Sequence, residues 1–171
     1  MVSKEQINGK ILFTEVQYFR VKWIWVLLLS IVIFSVFLPL LISLVVKQGL
    51  RGPALSLLIT VPVESLMLYL FYVVHLETIV GGDGLYYRWW PFFRRYNFIA
   101  RNNIETVITD DGPVLSYGFH FVSGYGWVHN TGPGKGLRFN LIGGKRIFIG
   151  TKDIDSFAAS VDKMISGKNL K

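Results

Sequence analysis

The sequence predicts an α+β membrane protein, in which an N-terminal transmembrane helical hairpin is followed by an antiparallel β-barrel or sandwich of about seven strands with a C-terminal α-helix. Three observations predict this class. Two long apolar runs lie in the first half of the 171 residues. Short aromatic and β-branched segments, separated by glycine-rich turns, come next. The last segment has apolar residues at helical spacing.

The composition limits the chemistry that the chain can perform. It has no cysteine, which excludes disulfides, thiol catalysis and cysteine-ligated metal sites. The formal charge is +7, and a basic membrane protein suits an anionic lipid surface without selecting a partner. Once the apolar half is set aside, the rest of the chain is long enough for one small domain.

The two apolar runs predict the membrane hairpin. Residues 23–46 contain no charged side chain, and at ~1.5 Å per residue they can cross a hydrocarbon core of ~30 Å. Residues 53–74 contain one charge, and the linker at 47–52 is long enough only to turn the chain back. The predicted organisation is therefore a juxtamembrane segment at 1–22, a hairpin at 23–74 and a second domain at 75–171.

Basic residues near the helix ends predict the orientation. Four precede the first helix, two lie in the linker and three follow the second helix: Lys4, Lys10, Arg20 and Lys22; Lys47 and Arg51; Arg88, Arg94 and Arg95. Because basic residues favour the cytoplasmic side, we expect a multi-pass protein of the cell membrane with both termini in the cytoplasm.

One acidic residue, Glu64, falls within the second helix. An antiparallel hairpin about this linker brings Ser35 to the same depth. A carboxyl group at bilayer depth is a candidate proton or cation site. The alternative is a protonated Glu64 that donates a hydrogen bond to Ser35, to Thr60 or to a carbonyl freed by Pro62, in this or a neighbouring protomer.

The second half of the chain is predicted to form a series of strands. They are expected at 75–80, 85–90, 96–100, 104–109, 117–121, 126–130, 137–141 and 146–149, and some of these segments can merge. Clusters of glycine, aspartate, threonine and proline between them supply the φ angles of tight turns. We therefore expect successive antiparallel hairpins.

A final helix is predicted at 153–166. Its apolar stripe consists of Ile154, Phe157, Ala158, Val161 and Ile165, and such a stripe must cover a sheet. Thr151 or Asp153 can cap its first turn. A curved sheet of about seven strands closed by a C-terminal amphipathic helix is the pleckstrin-homology (PH) architecture, and the element order agrees with it.

Several short motifs, in order along nearly the whole chain, carry a family resemblance. They are Glu15-Val16-Gln17-Tyr18-Phe19-Arg20 with Trp23 and Trp25, Gly84-Leu85-Tyr86-Tyr87-Arg88, Pro91-Phe92, Asn103-Ile104-Glu105, Tyr117-Gly118, Gly134-Lys135-Gly136-Leu137, Gly144-Lys145-Arg146 and Ile149-Gly150-Thr151. In these motifs the chain resembles a family of small, largely prokaryotic membrane proteins of unknown function with a two-helix anchor and a bacterial PH-like domain. The resemblance implies a fold and a membrane location. The chain departs from the family after Tyr117-Gly118, where it has Phe119, His120 and Phe121 in place of a second glycine and a tryptophan.

No catalytic or metal-binding pattern stands out, and we predict that the chain is not an enzyme and holds no cofactor or metal. The glycine string at 132–136 lies between strands and lacks a P-loop lysine. His75, His120 and His129 are the only histidines, and they have no metal-ligand spacing. A nucleophile elbow around Ser116 or Ser123 is absent.

A dense mixture of aromatic and basic residues follows the second helix. It comprises Arg88, Trp89, Trp90, Pro91, Phe92, Phe93, Arg94 and Arg95. Such a segment can lie at the membrane surface, with rings among headgroups and guanidinium groups on phosphates. The alternative is that Trp89 and Phe92 fill the core while the arginines set the orientation. No groove-reading helix or RNA-binding motif accompanies the segment, so we expect no nucleic-acid partner.

The sequence therefore favours a membrane-tethered PH-like binding or scaffolding module at the cytoplasmic face. Its ligand would be a protein, a peptide or a lipid headgroup, and its surroundings are the bilayer. The alternative is an accessory subunit of a larger membrane complex, with a membrane-protein partner or a homo-oligomer. An enzyme or transporter with an unrecognised site is the third interpretation.

Overall fold

The computed structural model describes residues 7, 10–47, 49, 51–114 and 116–167. The chain divides into two compact units. Arg20–Val73 form the first, which we call the helical unit. Met1–Phe19 and Val74–Lys171 form the second, which we call the β unit.

The helical unit consists of two long helices, α1 (Lys22–Val45) and α2 (Arg51–Val73). Both are long and apolar enough to span a membrane. Their bounds agree with the predicted 23–46 and 53–74 to within two residues, because an uninterrupted apolar run of this length has few alternatives to a helix. Each contains one proline, Pro39 and Pro62. The linker residues Gln48 and Leu50, and the predicted flanking residue Lys4, lie outside the described residues.

The first sheet of the β unit has four strands in the order β1-β2-β3-β4. They are β1 (Phe13–Tyr18), β2 (His75–Val80), β3 (Gly84–Trp90) and β4 (Asn97–Ala100). All neighbours are antiparallel. A hydrogen bond of 2.9 Å from the Gly81 amide to the Gly84 carbonyl closes the β2–β3 turn.

Strand β1 is an element that the sequence analysis did not predict. It lies before the helices in sequence, within the predicted juxtamembrane segment, and pairs with β2, which follows them. The register sets Tyr18 opposite His75, and the Phe19 amide donates to the Val74 carbonyl at 3.1 Å. The helical hairpin is therefore inserted between two adjacent strands of one sheet.

The second sheet has five strands in the order β5-β8-β9-β7-β6. They are β5 (Ile104–Asp110), β6 (Gly118–Val122), β7 (Gly126–Asn130), β8 (Gly136–Leu141) and β9 (Arg146–Gly150). Successive antiparallel pairs form between β6 and β7 and between β8 and β9. The expectation of successive hairpins is wrong for the rest of this sheet, because β5 pairs with β8 and β7 lies parallel to β9. The β6–β7 hairpin is thus attached to the far side of a β5–β8–β9 sheet.

Helix α3 (Ile154–Ser166) closes the β unit. Asp153 caps it by accepting a hydrogen bond of 3.1 Å from the Ser156 amide, as predicted from the preference for aspartate at this position. The Phe157 ring is fully buried, and its centroid lies 5.2 Å from that of Phe13 and 6.2 Å from that of Phe139. The helix therefore covers residues of both sheets.

The coarse prediction of an α+β protein with two N-terminal apolar helices and a C-terminal helix is confirmed. The described residues form nine strands rather than about seven, because all eight predicted segments form separate strands and β1, before the hairpin, adds a ninth. The core consists mainly of aromatic and aliphatic residues of both sheets and α3, the largest of which are Trp89, Tyr86, Tyr96, Phe139, Phe148 and Phe157.

Candidate membrane-surface site

The aromatic-arginine segment divides into a buried part on β3 and an exposed part in the loop before β4. Strand alternation turns Trp89 into the core, where 2% of it is exposed, and Arg88 to the opposite face. After Trp90 the chain leaves the sheet through a cis peptide bond to Pro91. Trp90 is the last residue of β3, and we call residues 91–95 the β3–β4 loop.

Arg88 is part of a polar network on the outer face of the first sheet. Its guanidinium group donates two hydrogen bonds of 3.0 Å to the Glu77 carboxylate, and it lies 4.3 Å from the centroid of the Tyr96 ring. The Tyr96 hydroxyl and the His75 ring also contact this carboxylate. Burial raises the pKa of Glu77, but its hydrogen bonds outweigh burial and the pKa lies below its ordinary value.

The Arg88 side chain also holds the β3–β4 loop in place. It donates a hydrogen bond of 2.7 Å to the Arg94 carbonyl, and it lies 5.3 Å from the centroid of the Trp90 ring. Arg88 is therefore a structural residue that positions the loop, and its charge is already paired with Glu77.

Trp89 is held in the core by a buried hydrogen bond to His129. Its indole Nε1 donates to His129 Nδ1 at 3.1 Å, and the His129 ring packs 4.7 Å from that of Tyr87. Burial, with a smaller contribution from the charge of His120, lowers the pKa of His129 to about 4. Burial also raises the pKa of Tyr87 to about 12. Trp89 thus belongs to the core, in agreement with the alternative in which Trp89 and Phe92 fill the core.

The rest of the segment faces outward. Phe92 is 57% exposed, contrary to the alternative in which it fills the core. Arg94 and Arg95 are exposed, whereas Trp90 is half-buried. Phe93 is also half-buried and contacts Phe119 of β6 edge-to-face, with 5.7 Å between the ring centroids. The side chains that a membrane surface could contact are therefore those of Trp90, Phe92, Arg94 and Arg95.

The loop lies at a defined end of the first sheet. Trp90 is the register partner of His75, and His75 is the partner of Tyr18. Tyr18 and His75 are the strand residues at which the chain leaves toward α1 and returns from α2. The β3–β4 loop therefore lies at the end of the sheet where the two helices are attached.

Two of the motifs that carry the family resemblance meet in space. From β1, the Glu15 carboxylate accepts hydrogen bonds from Thr151 Oγ1 at 2.6 Å and from the Lys152 amide at 2.9 Å. Gln17 donates to the Gly150 carbonyl at 2.8 Å. The two motifs are far apart in sequence, so nothing in the sequence indicated this contact. It holds β1 against residues 150–152, which precede α3.

The Glu64 side chain of α2 is half-buried, and one of its carboxyl oxygens is shielded from solvent. Its Oε2 atom has no hydrogen bond among the described residues. The Ser35 hydroxyl donates to the Val32 carbonyl at 2.8 Å, and the Thr60 hydroxyl donates to the Ser56 carbonyl at 3.0 Å. The two hydroxyls proposed as partners of Glu64 therefore direct their hydrogens to their own helices.

The three histidines have different side-chain partners. His75 contacts Glu77, His120 lies 3.3 Å from the Ser116 hydroxyl, and His129 accepts from Trp89. Within the described residues, no three His, Cys, Asp or Glu side chains are placed to hold one metal ion.

An exposed aromatic surface on the β6–β7 hairpin was not identified as a candidate site from the sequence. Phe119 is 46% exposed, Phe121 65% and Trp127 50%. The Phe121 and Trp127 rings meet edge-to-face with 6.0 Å between centroids, and they line an open groove of about 580 Å³ beside Lys145 and Arg146. The sequence signal was the departure from the family pattern at Phe119, His120 and Phe121.

No family model matches the chain, and no curated protein or solved structure is significantly similar to it.

Proposed function

We propose that this chain is a membrane-anchored binding module, not a catalyst, whose β unit engages anionic lipid headgroups at the cytoplasmic face through the β3–β4 loop. The observation that carries the proposal is the pairing of Tyr18, His75 and Trp90 across three neighbouring strands. This register brings the exposed aromatic and basic side chains to the end of the sheet at which the chain leaves for α1 and returns from α2.

Chain length supports a location near the headgroups. Three residues separate Tyr18 from α1, and one residue separates α2 from His75. At ~3.5 Å per residue these connections span on the order of 10 Å. Neighbouring strands are ~4.8 Å apart, so Trp90 lies about two strand spacings from Tyr18. The loop that follows Trp90 is therefore within reach of the layer in which lipid phosphates lie.

The exposed side chains match that layer chemically. Aromatic rings such as those of Trp90 and Phe92 settle among headgroups, and each arginine near an anionic leaflet contributes roughly 1 kcal/mol of attraction. Arg94 and Arg95 form no ion pair with a carboxylate among the described residues. Their guanidinium groups are thus free to contact phosphate, and salt should weaken that contact.

The pairing of β1 with β2 supports the expected topology. Two strands on either side of a hairpin can pair only if both lie on the same side of the bilayer, so two membrane crossings must separate them. The basic residues that flank the hairpin, among them Lys10, Arg20 and Lys22, favour the cytoplasm for that side. Both termini are accordingly proposed to be cytoplasmic, in a cell-membrane protein.

A PH-like fold is the finer structural proposal. The order of a four-stranded meander, a second sheet and a closing C-terminal helix supports it. The β6–β7 hairpin, inserted between β5 and β8 in sequence, departs from a simple seven-stranded arrangement. A fold of this kind suits a binding or scaffolding role, and the ligand has to be argued from the site itself.

Hydrogen–deuterium exchange of the full-length protein in nanodiscs tests the proposal. The β3–β4 loop should exchange more slowly in discs that contain phosphatidylglycerol than in discs of phosphatidylcholine alone. The Arg94→Ala/Arg95→Ala variant should lose this difference. The matched control is Lys152→Ala/Lys163→Ala, which removes two exposed charges at α3 and should keep it. Equal exchange of the wild-type loop in both lipids would refute lipid contact.

A second candidate function, an accessory subunit of a larger membrane complex, is favoured by one observation. Glu64 Oε2 is enclosed in a membrane-spanning helix and has no hydrogen-bond partner among the described residues, and such a group is costly in hydrocarbon unless another helix supplies one. Mild-detergent purification from the native host should then recover a membrane protein that Glu64→Gln loses and Thr60→Val keeps. Recovery of the same proteins with both variants would count against this function.

A further inference from the structure

The two sheets formed by the described residues of the β unit have four edge strands, β1, β4, β5 and β6, and three of them carry features that block pairing with another chain. Strand β1 contains Glu15 and is packed against α3. Strand β4 has four residues. Strand β5 contains Glu105 and Asp110, and its register is broken between Ile104 and Thr106. Charges, short length and bulges are the usual means by which proteins protect an edge.

The fourth edge, β6, has none of these features. Its sequence is Gly118-Phe119-His120-Phe121-Val122, with no lysine, acidic residue or proline. Its register with β7 is unbroken over five pairs, and it is the last strand of its sheet. Among the described residues no strand pairs with its outer side, so its backbone groups there offer a template for one more strand.

The three central residues of β6, Phe119-His120-Phe121, are symmetric about His120. In an antiparallel pair of two such strands centred on this residue, Phe119 of each copy stands opposite Phe121 of the other, and His120 stands opposite His120. Aromatic cross-strand pairs of this kind stabilise a sheet. The strand contains no lysine, arginine, aspartate or glutamate, whereas β5 paired with itself would bring carboxylates together. Shape and charge thus both fit a second copy of the same strand.

The two membrane helices compensate for the small size of such a contact. Five paired residues bury less than the ~1,200–2,000 Å² of a typical stable interface. Two copies anchored in one bilayer are held at a high local concentration, which permits a small contact to form. The exposed Phe119, Phe121 and Trp127 rings add apolar area along the same strands.

We infer that β6 pairs antiparallel with β6 of a second copy of this chain, about a two-fold axis at His120. The ten-stranded sheet that results joins two β units at one membrane surface. The inference rests on the membrane anchoring in the proposed function, but it does not depend on the lipid contact of the β3–β4 loop.

Cysteine cross-linking tests this register directly, because the chain has no cysteine of its own. Opposite residues of an antiparallel pair have Cα atoms about 4.5–5.5 Å apart, within the range of about 4.4–6.8 Å that a disulfide requires. Full-length His120→Cys, oxidised in native membranes, should give a band at twice the 19.5 kDa mass of the chain.

Phe119→Cys and Phe121→Cys keep the test falsifiable if the loss of His120 disturbs the fold. Neither should cross-link with itself, since residues two positions out of register lie about 7–8 Å apart. The two proteins expressed together should cross-link. The matched control is Ile108→Cys on β5, an exposed apolar position of another edge strand, which should remain monomeric.

A charge on the edge provides an independent variant. Phe121→Lys, combined with His120→Cys, should reduce the cross-linked fraction to the level of the Ile108→Cys control, whereas Ile108→Lys in the same background should leave it unchanged. Arg94→Ala/Arg95→Ala should also leave the cross-link intact, which separates this result from the lipid test.

Three outcomes would overturn the inference. Equal cross-linking at all positions would mean random collision between chains. A cross-link of the His120→Cys variant to a different protein would mean that another partner covers the edge. The absence of a cross-link both in the His120→Cys variant and in the mixture of Phe119→Cys with Phe121→Cys would mean that the two β6 strands do not pair.

Discussion

The contact between β1 and the second sheet makes a measurable contribution to stability. Gln17 is buried; it donates to the Gly150 carbonyl at 2.8 Å and accepts from the Thr131 hydroxyl at 3.0 Å. Gln17→Ala removes both of these bonds and a third, which Gln17 donates to the Glu15 carboxylate at 3.1 Å, and it leaves the Thr131 hydroxyl without this acceptor. A buried polar group left unpaired costs about 1–3 kcal/mol and a lost hydrogen bond about 1 kcal/mol, so the free energy of unfolding should fall by about 2–4 kcal/mol.

Urea titration of the full-length protein in mild detergent measures this loss. Near-ultraviolet circular dichroism follows the packed aromatic rings of the β unit, and a slope of about 2 kcal/mol per molar urea converts the expected loss to a midpoint shift of about 1–2 M. The control is Val16→Thr, on the exposed face of the same strand, where a change of no more than about 0.5 kcal/mol is expected. If Gln17→Ala shifts the urea midpoint no more than Val16→Thr does, the reasoning that these hydrogen bonds hold β1 to the second sheet is refuted.

Three further predictions concern titration and the insertion of the hairpin. The folded-state pKa of Glu77 lies below its ordinary 4.5, so its stabilising contribution is present above that pH and is lost as the pH falls through the lower folded value; Glu77→Gln should flatten the acid loss of stability in denaturant titrations at several pH values. The pKa of His129 is lowered from 6.5 to about 4, so stability should decline as the pH falls through that window, and His129→Gln, which keeps an acceptor for the indole, should remove this slope. Replacing residues 20–73 by a short glycine-serine turn should give a folded β unit without detergent, because the Phe19 amide donates to the Val74 carbonyl at 3.1 Å. The dichroism of that protein should match the full-length β unit, and the same protein without residues 1–19 should not fold.

The elements that follow local patterns were predictable from the sequence. Strands β2 and β7 begin and end at the predicted residues, and α3 differs by one residue at its start. Long apolar runs, strand-forming segments and glycine turns are properties of neighbouring residues, so inspection along the chain finds them. The buried part of the aromatic-arginine segment was also open to prediction, since alternation along β3 separates Trp89 from Arg88.

The features that depend on distant pairing were not predictable in this way. The partner of β1 follows two helices in the sequence, and no turn motif connects the two strands and indicates their pairing. The parallel contact of β7 with β9 skips over β8, while turn chemistry identifies only antiparallel neighbours. The candidate loop was found by composition, but its position at the helix-bearing end of the sheet required the register of Trp90 and His75.

The insertion of the hairpin between β1 and β2 imposes an order on biosynthesis. Strand β1 leaves the ribosome first and has no partner until both helices and β2 have been translated. In the proposed topology, a chain in which one helix failed to insert would leave the two strands in different compartments, and the sheet would stay open at an edge that other chains can bind. Completion of the sheet would then act as a check on insertion, because only correctly inserted chains would acquire the stability of the closed β unit.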